Sequence, residues 1–162
     1  MLKPQEKISA ADFEYKKVIG RGSFGKVYLV MKKDTGNHYA MKILKKDQLL
    51  KKNLLIKTQA ERKILEHAKN PYIVGLHFAF QTETKLYLII DLLNGGEMFT
   101  YLRSEKKFKE DRVRVYAAEL VEALAYLHSN GVIYRDLKPE NILLDAAGHI
   151  KITDFGLSKM GV

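Results

Sequence analysis

The sequence predicts an α+β fold: a five-stranded antiparallel sheet with one main helix, followed by a mainly helical part. Three observations carry this. Strand-compatible runs bounded by turn residues fill most of residues 13–91. Apolar residues recur at helical spacing in 51–67 and again in 110–129. Between the two halves stands Asn94-Gly95-Gly96, the signature of a hinge. At 162 residues the chain is long enough for one ordinary domain with a sizeable core.

The first strand is predicted from Phe13 to Val18, ahead of the glycine-rich turn Gly20-Arg-Gly-Ser-Phe-Gly25. Val27-Tyr-Leu-Val30 is rich in residues that suit a sheet and forms the second strand. After the turn Asp34-Thr-Gly-Asn37, His38 to Leu44 forms the third. From about Lys51 to His67 the pattern is helical, with Leu54, Ala60, Ile64, Leu65 and Ala68 near one face, and Asn70-Pro71 stops it. Leu76–Phe80 and Leu86–Asp91 are two further strands around the polar turn Gln81-Thr-Glu-Thr-Lys85. Beyond the hinge, Glu97 to Arg103 is a short helix. Glu110 to Ser129 is the longest, with Val113, Tyr116, Ala117, Leu120, Leu124 and Leu127 on its apolar side and Gly131 placed to cap it. Ile142–Leu144 and His149–Ile152 form a short hairpin about Ala146-Ala-Gly148.

Composition excludes several classes. A hydrophobic fraction of 46% and a charged fraction of 29% are those of a globular protein and not of a disordered chain. No cysteine is present, so disulfides and thiolate metal sites are excluded, and a cytoplasmic or nuclear location is expected. The five histidines lack metal-ligand spacing. Residues 1–7 have no apolar core and are not a signal peptide, Leu2 stands where myristoylation needs glycine, and no apolar run can span a bilayer. The net charge of +9 suggests affinity for polyanions, but Lys16-Lys17, Lys32-Lys33, Lys45-Lys46 and Lys51-Lys52 are scattered without interleaved aromatics. Solvated faces explain these pairs better than nucleic acid, so no nucleic-acid partner and no membrane segment are expected.

The chemistry concentrates in Ile133-Tyr-Arg-Asp-Leu-Lys-Pro-Glu-Asn141 and in Asp154-Phe-Gly156, polar loops set between apolar runs. Asp136, Asn141 and Asp154 are expected around a metal-bound phosphate, and the hairpin that separates them should bring them close. Upstream, the glycine stretch fits three phosphate motifs. A dinucleotide fingerprint should open a helix, but a strand follows here. A Walker loop needs a hydroxyl where Val27 stands. What remains is a strand–loop–strand flap, G-x-G-x-x-G-x-V, whose glycines let backbone amides approach phosphate oxygens. Taken singly, Lys42 at a strand end and Glu61 on a helix read as surface charges. In this order, with Arg135-Asp136 and Asp154-Phe-Gly156 downstream, a chance origin for all of them is improbable.

On these motifs the chain resembles the eukaryotic protein kinases from about Phe13 to Val162. Tyr134 in place of the more common histidine, together with Asp91-Leu-Leu-Asn-Gly-Gly-Glu97, is similar to the AGC group of serine/threonine kinases. Ala79-Phe-Gln-Thr-Glu-Thr-Lys85 and Asp154-Phe-Gly-Leu-Ser-Lys159 are most similar to its Akt, serum-regulated and ribosomal-protein kinase branches. The resemblance implies an extension over 1–12, an N-lobe over 13–93 and an incomplete C-lobe over 94–162, with ATP and magnesium as cofactors. It implies that Asp136 accepts or orients the substrate hydroxyl proton, that Lys138 steadies the phosphoryl group, and that Glu61 holds Lys42 against the α- and β-phosphates. Asn141 and Asp154 would hold magnesium. Ile19, Gly20, Arg21, Gly22, Ser23, Phe24, Gly25, Lys26 and Val27 would cover the nucleotide. Val27, Ala40 and Leu143 would sandwich adenine, the backbone from Asp91 to Leu93 would bond its edge, and Ile90 would close the back of the pocket. Leu65, Leu76, Tyr134 and Phe155 would stack between the lobes.

Partners implied by the resemblance are protein substrates with basic residues near the target serine or threonine, received by Glu97 and Glu140, and an upstream activating kinase. The family pattern continues past Val162 through an activation loop, a Pro-Glu motif and further helices, so the sequence reads as truncated within the activation loop. Two expectations follow: a serine/threonine kinase, or an inactive fragment acting as a nucleotide-binding or regulatory module. Retention of Lys42, Asp136 and Asp154 favours the first.

Overall fold

The computed structural model describes residues 8–22, 25–51, 55–154 and 159–160. The chain divides into two compact units, Met1–Asn53 with Leu76–Leu92, and Leu54–Gly75 with Leu93–Val162.

In the first unit, β1 (Phe13–Gly22), β2 (Gly25–Lys32), β3 (His38–Lys45), β4 (Leu76–Gln81) and β5 (Lys85–Ile90) form one antiparallel sheet in the order β1-β2-β3-β5-β4. All five predicted strands are present. The first runs past Val18 to Gly22, with irregular register between Tyr15 and Lys17 and between Val18 and Gly20. A 3-10 turn at Ala10–Asp12 leads into it, closed by a reciprocal cap in which the Ser9 amide donates to Asp12 and Ser9 Oγ accepts from the Ala11 amide.

Residues paired across strands share a face. One face buries Phe13, Val30, Met41, Tyr87 and Ile89, with Tyr28, Tyr39, Ile43, Phe78 and Phe80 packed against them. The rings of Phe80 and Tyr87 stack at 4.7 Å, and those of Phe13 and Phe78 meet edge-on at 6.1 Å. The opposite face of β3 carries Ala40, Lys42 and Leu44, in register with Leu29, Val27 and Gly25 of β2 and with Ile90, Leu88 and Leu86 of β5.

The helix expected from about Lys51 to His67 is present as Leu55–His67, and a separate short helix before it was not expected. α1 (Lys46–Lys51) follows β3 directly, with Leu49 buried, and α2 (Leu55–His67) comes after it. A six-residue helix with a single buried anchor has no periodicity to read, which is why the sequence pattern did not reveal α1. Among the described side chains of α2, Thr58, Glu61, Ile64 and Leu65 are buried, two of them polar.

In the second unit, β6 (Gly96–Glu97) leads into α3 (Met98–Glu105) and α4 (Glu110–Ser129) follows. Arg112 staples the connection: it donates to both Glu105 oxygens at 2.8 and 2.9 Å and to the Tyr116 hydroxyl at 2.8 Å, and stacks over Phe108 at 4.4 Å. Asn130 caps α4, and Gly131 takes φ +68°, the left-handed conformation expected there. The buried stripe of α4 is Tyr116, Glu119, Ala123 and Leu127, whereas Val113 and Ala117, predicted to face inward, are exposed. A carboxylate on that stripe displaces the apolar face from where hydrophobicity alone puts it.

After α4 come β7 (Val132–Ile133), a 3-10 turn at Pro139–Asn141, β8 (Ile142–Leu144), β9 (Ile150–Ile152) and β10 (Lys159–Met160). β6, β8 and β9 form one small sheet, and β10 pairs with β7. The expected hairpin is there as β8–β9, turned by Asp145, whose Oδ1 accepts from the amides of Ala147 and His149 at 2.9 Å each. Among the described residues no buried side-chain nitrogen or oxygen lacks a partner, and no helix is long and apolar enough to cross a membrane.

Candidate functional site

The loop between β7 and β8 carries most of the predicted chemistry. It begins with Tyr134, which is buried, and its hydroxyl donates to the Thr153 carbonyl at 2.5 Å. Burial first, then the neighbouring charges of Asp154 and Asp136, push the phenol above its ordinary range, so Tyr134 stays a neutral donor. Two residues later Asp136 is held from two sides. The Asn141 side-chain amide donates to Asp136 Oδ2 at 2.7 Å and to its carbonyl at 3.0 Å, and Lys138 Nζ stands 3.2 Å from Oδ1. The carboxylate is thereby oriented while an anion-neutralising cation lies beside it.

Asn141 is itself buried, and this follows from the turn it closes. Its amide donates to the Lys138 carbonyl, and its carbonyl accepts from both the Thr153 amide at 3.0 Å and the Thr153 hydroxyl at 3.1 Å. The two ends of the β8–β9 hairpin are thus tied together one residue before Asp154. The sequence expectation that the hairpin draws Asn141 and Asp154 close is met in this way.

Asp154 is exposed and adopts φ +58°, and Arg135 adopts φ +64°. Both lie in the left-handed region that non-glycine residues rarely occupy. Such conformations persist where surrounding bonds over-determine them, and they concentrate at functional loops.

Asn141 and Asp154 fit a hard cation by donor chemistry. With its nitrogen committed to Asp136, the Asn141 amide presents its oxygen on the other side, and Asp154 supplies an exposed carboxylate. Among the described residues no cluster of three or more His, Cys, Asp or Glu could hold a metal by itself. A pair of oxygen donors suits magnesium, which keeps water and shares substrate phosphates, better than it suits a caged ion.

In the first unit the predicted nucleotide residues share a face. Val27 is opposite Lys42, Lys42 is opposite Leu88, and Ala40 is opposite Ile90, all on the face away from the aromatic core. The glycines differ in their reasons. A Cβ on Gly25 would stand 1.7 Å from the Ile43 carbonyl oxygen, so the strands themselves demand glycine there. Among the described residues a Cβ on Gly20 would meet the Val27 side chain alone, at 3.4 Å, an ordinary contact, so no described backbone group demands glycine there. Arg21 and Lys26 pair on the other face of the hairpin, so their side chains point away from the Val27 face. Ile19 is exposed. Gly22 pairs with Gly25; Ser23, Phe24, Phe155 and Gly156 lie outside the described residues.

The other predicted residues are placed as follows. Glu61 is buried on α2 of the second unit, and Lys42 lies on β3 of the first. Leu143 pairs with Glu97 across β8 and β6. Glu97 is exposed at the start of α3 without a side-chain cap bond, and Glu140 is exposed in the 3-10 turn. Leu93 is half-buried. Asp91 accepts from His77 Nε2 at 2.7 Å. Sequence reasoning missed His77, Thr153 and Glu119. Only Glu119 left a trace, as a carboxylate three residues after Tyr116 and four before Ala123.

The comparisons with known proteins show the family. Residues 13–161 match the protein kinase domain. A RAC family serine/threonine-protein kinase homolog of Dictyostelium discoideum is 56% identical over 160 residues, covering 99% of this chain and 36% of that protein. A putative ribosomal protein S6 kinase alpha-1 of Caenorhabditis elegans is 58% identical, covering 97% of the chain and 20% of the relative. Ribosomal protein S6 kinase alpha-6 of Homo sapiens is also 58% identical, over 97% and 21%. The chain belongs to the protein kinase domain family and, within it, to the AGC serine/threonine kinases that these relatives represent. It spans about a third or less of the length of these relatives.

Proposed function

We propose that this chain is the nucleotide-binding and phosphoryl-transfer part of an ATP-dependent serine/threonine kinase. One observation carries the reading: Asp136 is oriented by Asn141 and flanked by Lys138, on a loop whose far end, Asn141, is tied to Thr153, the residue before Asp154.

In this reading Asp136 accepts the proton of a serine or threonine hydroxyl and aims its oxygen at the γ-phosphorus. Lys138, 3.2 Å from that carboxylate, lies where it can offset negative charge on the phosphoryl oxygens as they separate from ADP. Asn141 and Asp154 hold the metal. Magnesium, when bound, neutralises phosphate charge and keeps the phosphates in line. Lys42 takes the α- and β-phosphates with Glu61 as its anion. Val27, Ala40 and Leu143 pack on adenine, and the Asp91–Leu93 backbone bonds its edge. Gly20 supports the flap assignment, because among the described residues no backbone group crowds the place of its missing side chain. Orientation and charge supply the rate, and little of the covalent chemistry falls to the protein itself.

For the substrate we propose peptides with arginine or lysine before the target residue, received by Glu97 and Glu140. Both are exposed on the second unit. The net charge of +9 repels such peptides at long range, so attraction must be local and sensitive to salt. An upstream activating kinase and a cytoplasmic or nuclear setting belong to the same proposal.

The test is nucleotide binding followed by transfer. Mg-ATP should bind the 162-residue chain, and Lys42→Met should abolish that binding. Unchanged affinity in Lys42→Met would overturn the nucleotide-site assignment. In the protein that carries this chain, Asp136→Asn should keep Mg-ATP binding and lose transfer to an arginine-containing serine peptide. Binding without transfer in the parent protein would instead favour a nucleotide-dependent regulatory module.

A further inference from the structure

The hairpin that ends at Asp154 is anchored at Thr153, at Ile152 and at Ile150. The Thr153 amide donates to Asn141, and the Ile152 amide donates to the Tyr72 carbonyl at 2.9 Å. The third anchor is not backbone. The Ile150 amide donates at 2.9 Å to Oε2 of Glu119, a buried carboxylate on α4, whose Oε1 accepts from His149 Nδ1 at 2.6 Å. Glu119 therefore takes the place of a neighbouring strand, with one oxygen for each of two consecutive residues.

A buried anion is a poor choice if stability alone is at stake. Its desolvation roughly offsets what its bonds return, and an apolar side chain of similar size often serves as well. What the carboxylate adds is direction, because two donors on two oxygens fix its plane and with it the start of β9. Three residues of extended strand and loop then separate Ile150 from Asp154. Groups that orient metal ligands commonly influence metal affinity about 10–100-fold without touching the ion.

We propose that Glu119 is a positioning residue for the magnesium-binding end of the β8–β9 hairpin, acting through the Ile150 amide and His149. The inference rests on the reading of Asn141 and Asp154 as metal ligands. Two consequences follow. Losing the negative charge weakens the metal-dependent part of nucleotide binding and spares the rest. Losing His149 alone has a smaller effect, because the bond to Ile150 survives.

The experiment compares ATP affinity of the 162-residue chain with magnesium and with chelator, in the parent, Glu119→Gln and His149→Gln, alongside amide hydrogen exchange over residues 150–154. In Glu119→Gln the gain in affinity from magnesium should fall roughly tenfold, with magnesium-free affinity retained and faster exchange confined to 150–154. His149→Gln should show the same pattern more weakly. An unchanged magnesium gain with unchanged exchange would overturn the proposal. So would an equal loss of both affinities together with a lower melting temperature, since that is what a merely structural residue does. If the parent shows no magnesium gain at all, the metal-site reading fails. The exchange arm then decides separately: faster exchange limited to 150–154 supports anchoring by Glu119, and unchanged exchange overturns it.

Discussion

The two groups of candidate residues, one in each unit, are built in different ways. On the sheet of the first unit, Val27, Ala40 and Lys42 are brought together by strand register alone, with backbone pairing as the organising force. In the loop and hairpin of the second unit, Asp136, Asn141 and Asp154 are organised by side chains that bond to backbone: Asn141 to Asp136, Tyr134 to Thr153, Glu119 to Ile150. A sheet position tolerates side-chain replacement because its backbone partners remain. A loop position does not, since each side chain is also part of the frame. Substitutions should therefore separate binding from stability in the sheet and mix them in the loop.

The largest effect is expected at Asp136. Asparagine there keeps the shape and can still accept from Asn141, so the loop should fold. Losing the acceptor of the hydroxyl proton should lower transfer by the protein that carries this chain about 10²–10⁴-fold. Steady-state phosphorylation of a serine peptide measures it. Transfer within a few-fold of the parent would remove Asp136 from the mechanism.

Next comes the glycine pair, which tests the sheet side directly. Gly25→Ala would drive a methyl into the Ile43 carbonyl, and the strands would have to part, costing about 3 kcal/mol. Gly20→Ala meets only the Val27 side chain and should leave stability within about 0.5 kcal/mol while weakening nucleotide binding. Denaturant unfolding and ATP titration of both variants would show the separation. Equal destabilisation by the two would break the distinction between a glycine the strands require and one the ligand requires.

The same contrast explains what could be read in advance. The five strands were legible because turn residues punctuate them and the sheet has two clear faces. Asp136, Asn141 and Asp154 were legible because their spacing is that of a motif. The bonds that hold them were not. Tyr134 and Thr153 are nineteen residues apart, Glu119 and Ile150 thirty-one, and only the folded topology makes either pair neighbours. Glu119 was also concealed by its type, since a glutamate in a long helix ordinarily faces water. β7 and β10 are two residues each, too short to show any alternation.

Tyr134→Phe probes the loop side at smaller scale. The ring would still fill its buried position, but the Thr153 carbonyl would lose its donor, which should cost about 1 kcal/mol. Because Thr153 also bonds to Asn141, the variant should lower magnesium-dependent ATP affinity in parallel. A stability loss with no change in that affinity would mean the loop separates its two duties as cleanly as the sheet does.

The smallest expected effect is the pH dependence of the His149–Glu119 pair. Hydrogen bonding to Glu119 first, then its charge, raises the His149 pKa from its ordinary value of 6.5, with Asp145 adding to the rise and desolvation opposing it. Tyr72, whose ring lies 6.5 Å from that of His149, itself has a raised pKa, burial first and then the charges of Glu119 and Glu122, and stays neutral through this range. A group whose pKa is higher folded than unfolded takes up protons on folding. Its contribution is fully present below the unfolded value and is lost as pH rises through the folded one. The melting temperature of the parent should therefore exceed that of His149→Gln most near pH 6, and the gap should narrow toward pH 8. The imidazole is largely exposed, so solvent and salt screen the pair and 0.5 M salt should shrink the gap. A gap that widens with pH would show that the histidine is held neutral in the folded protein.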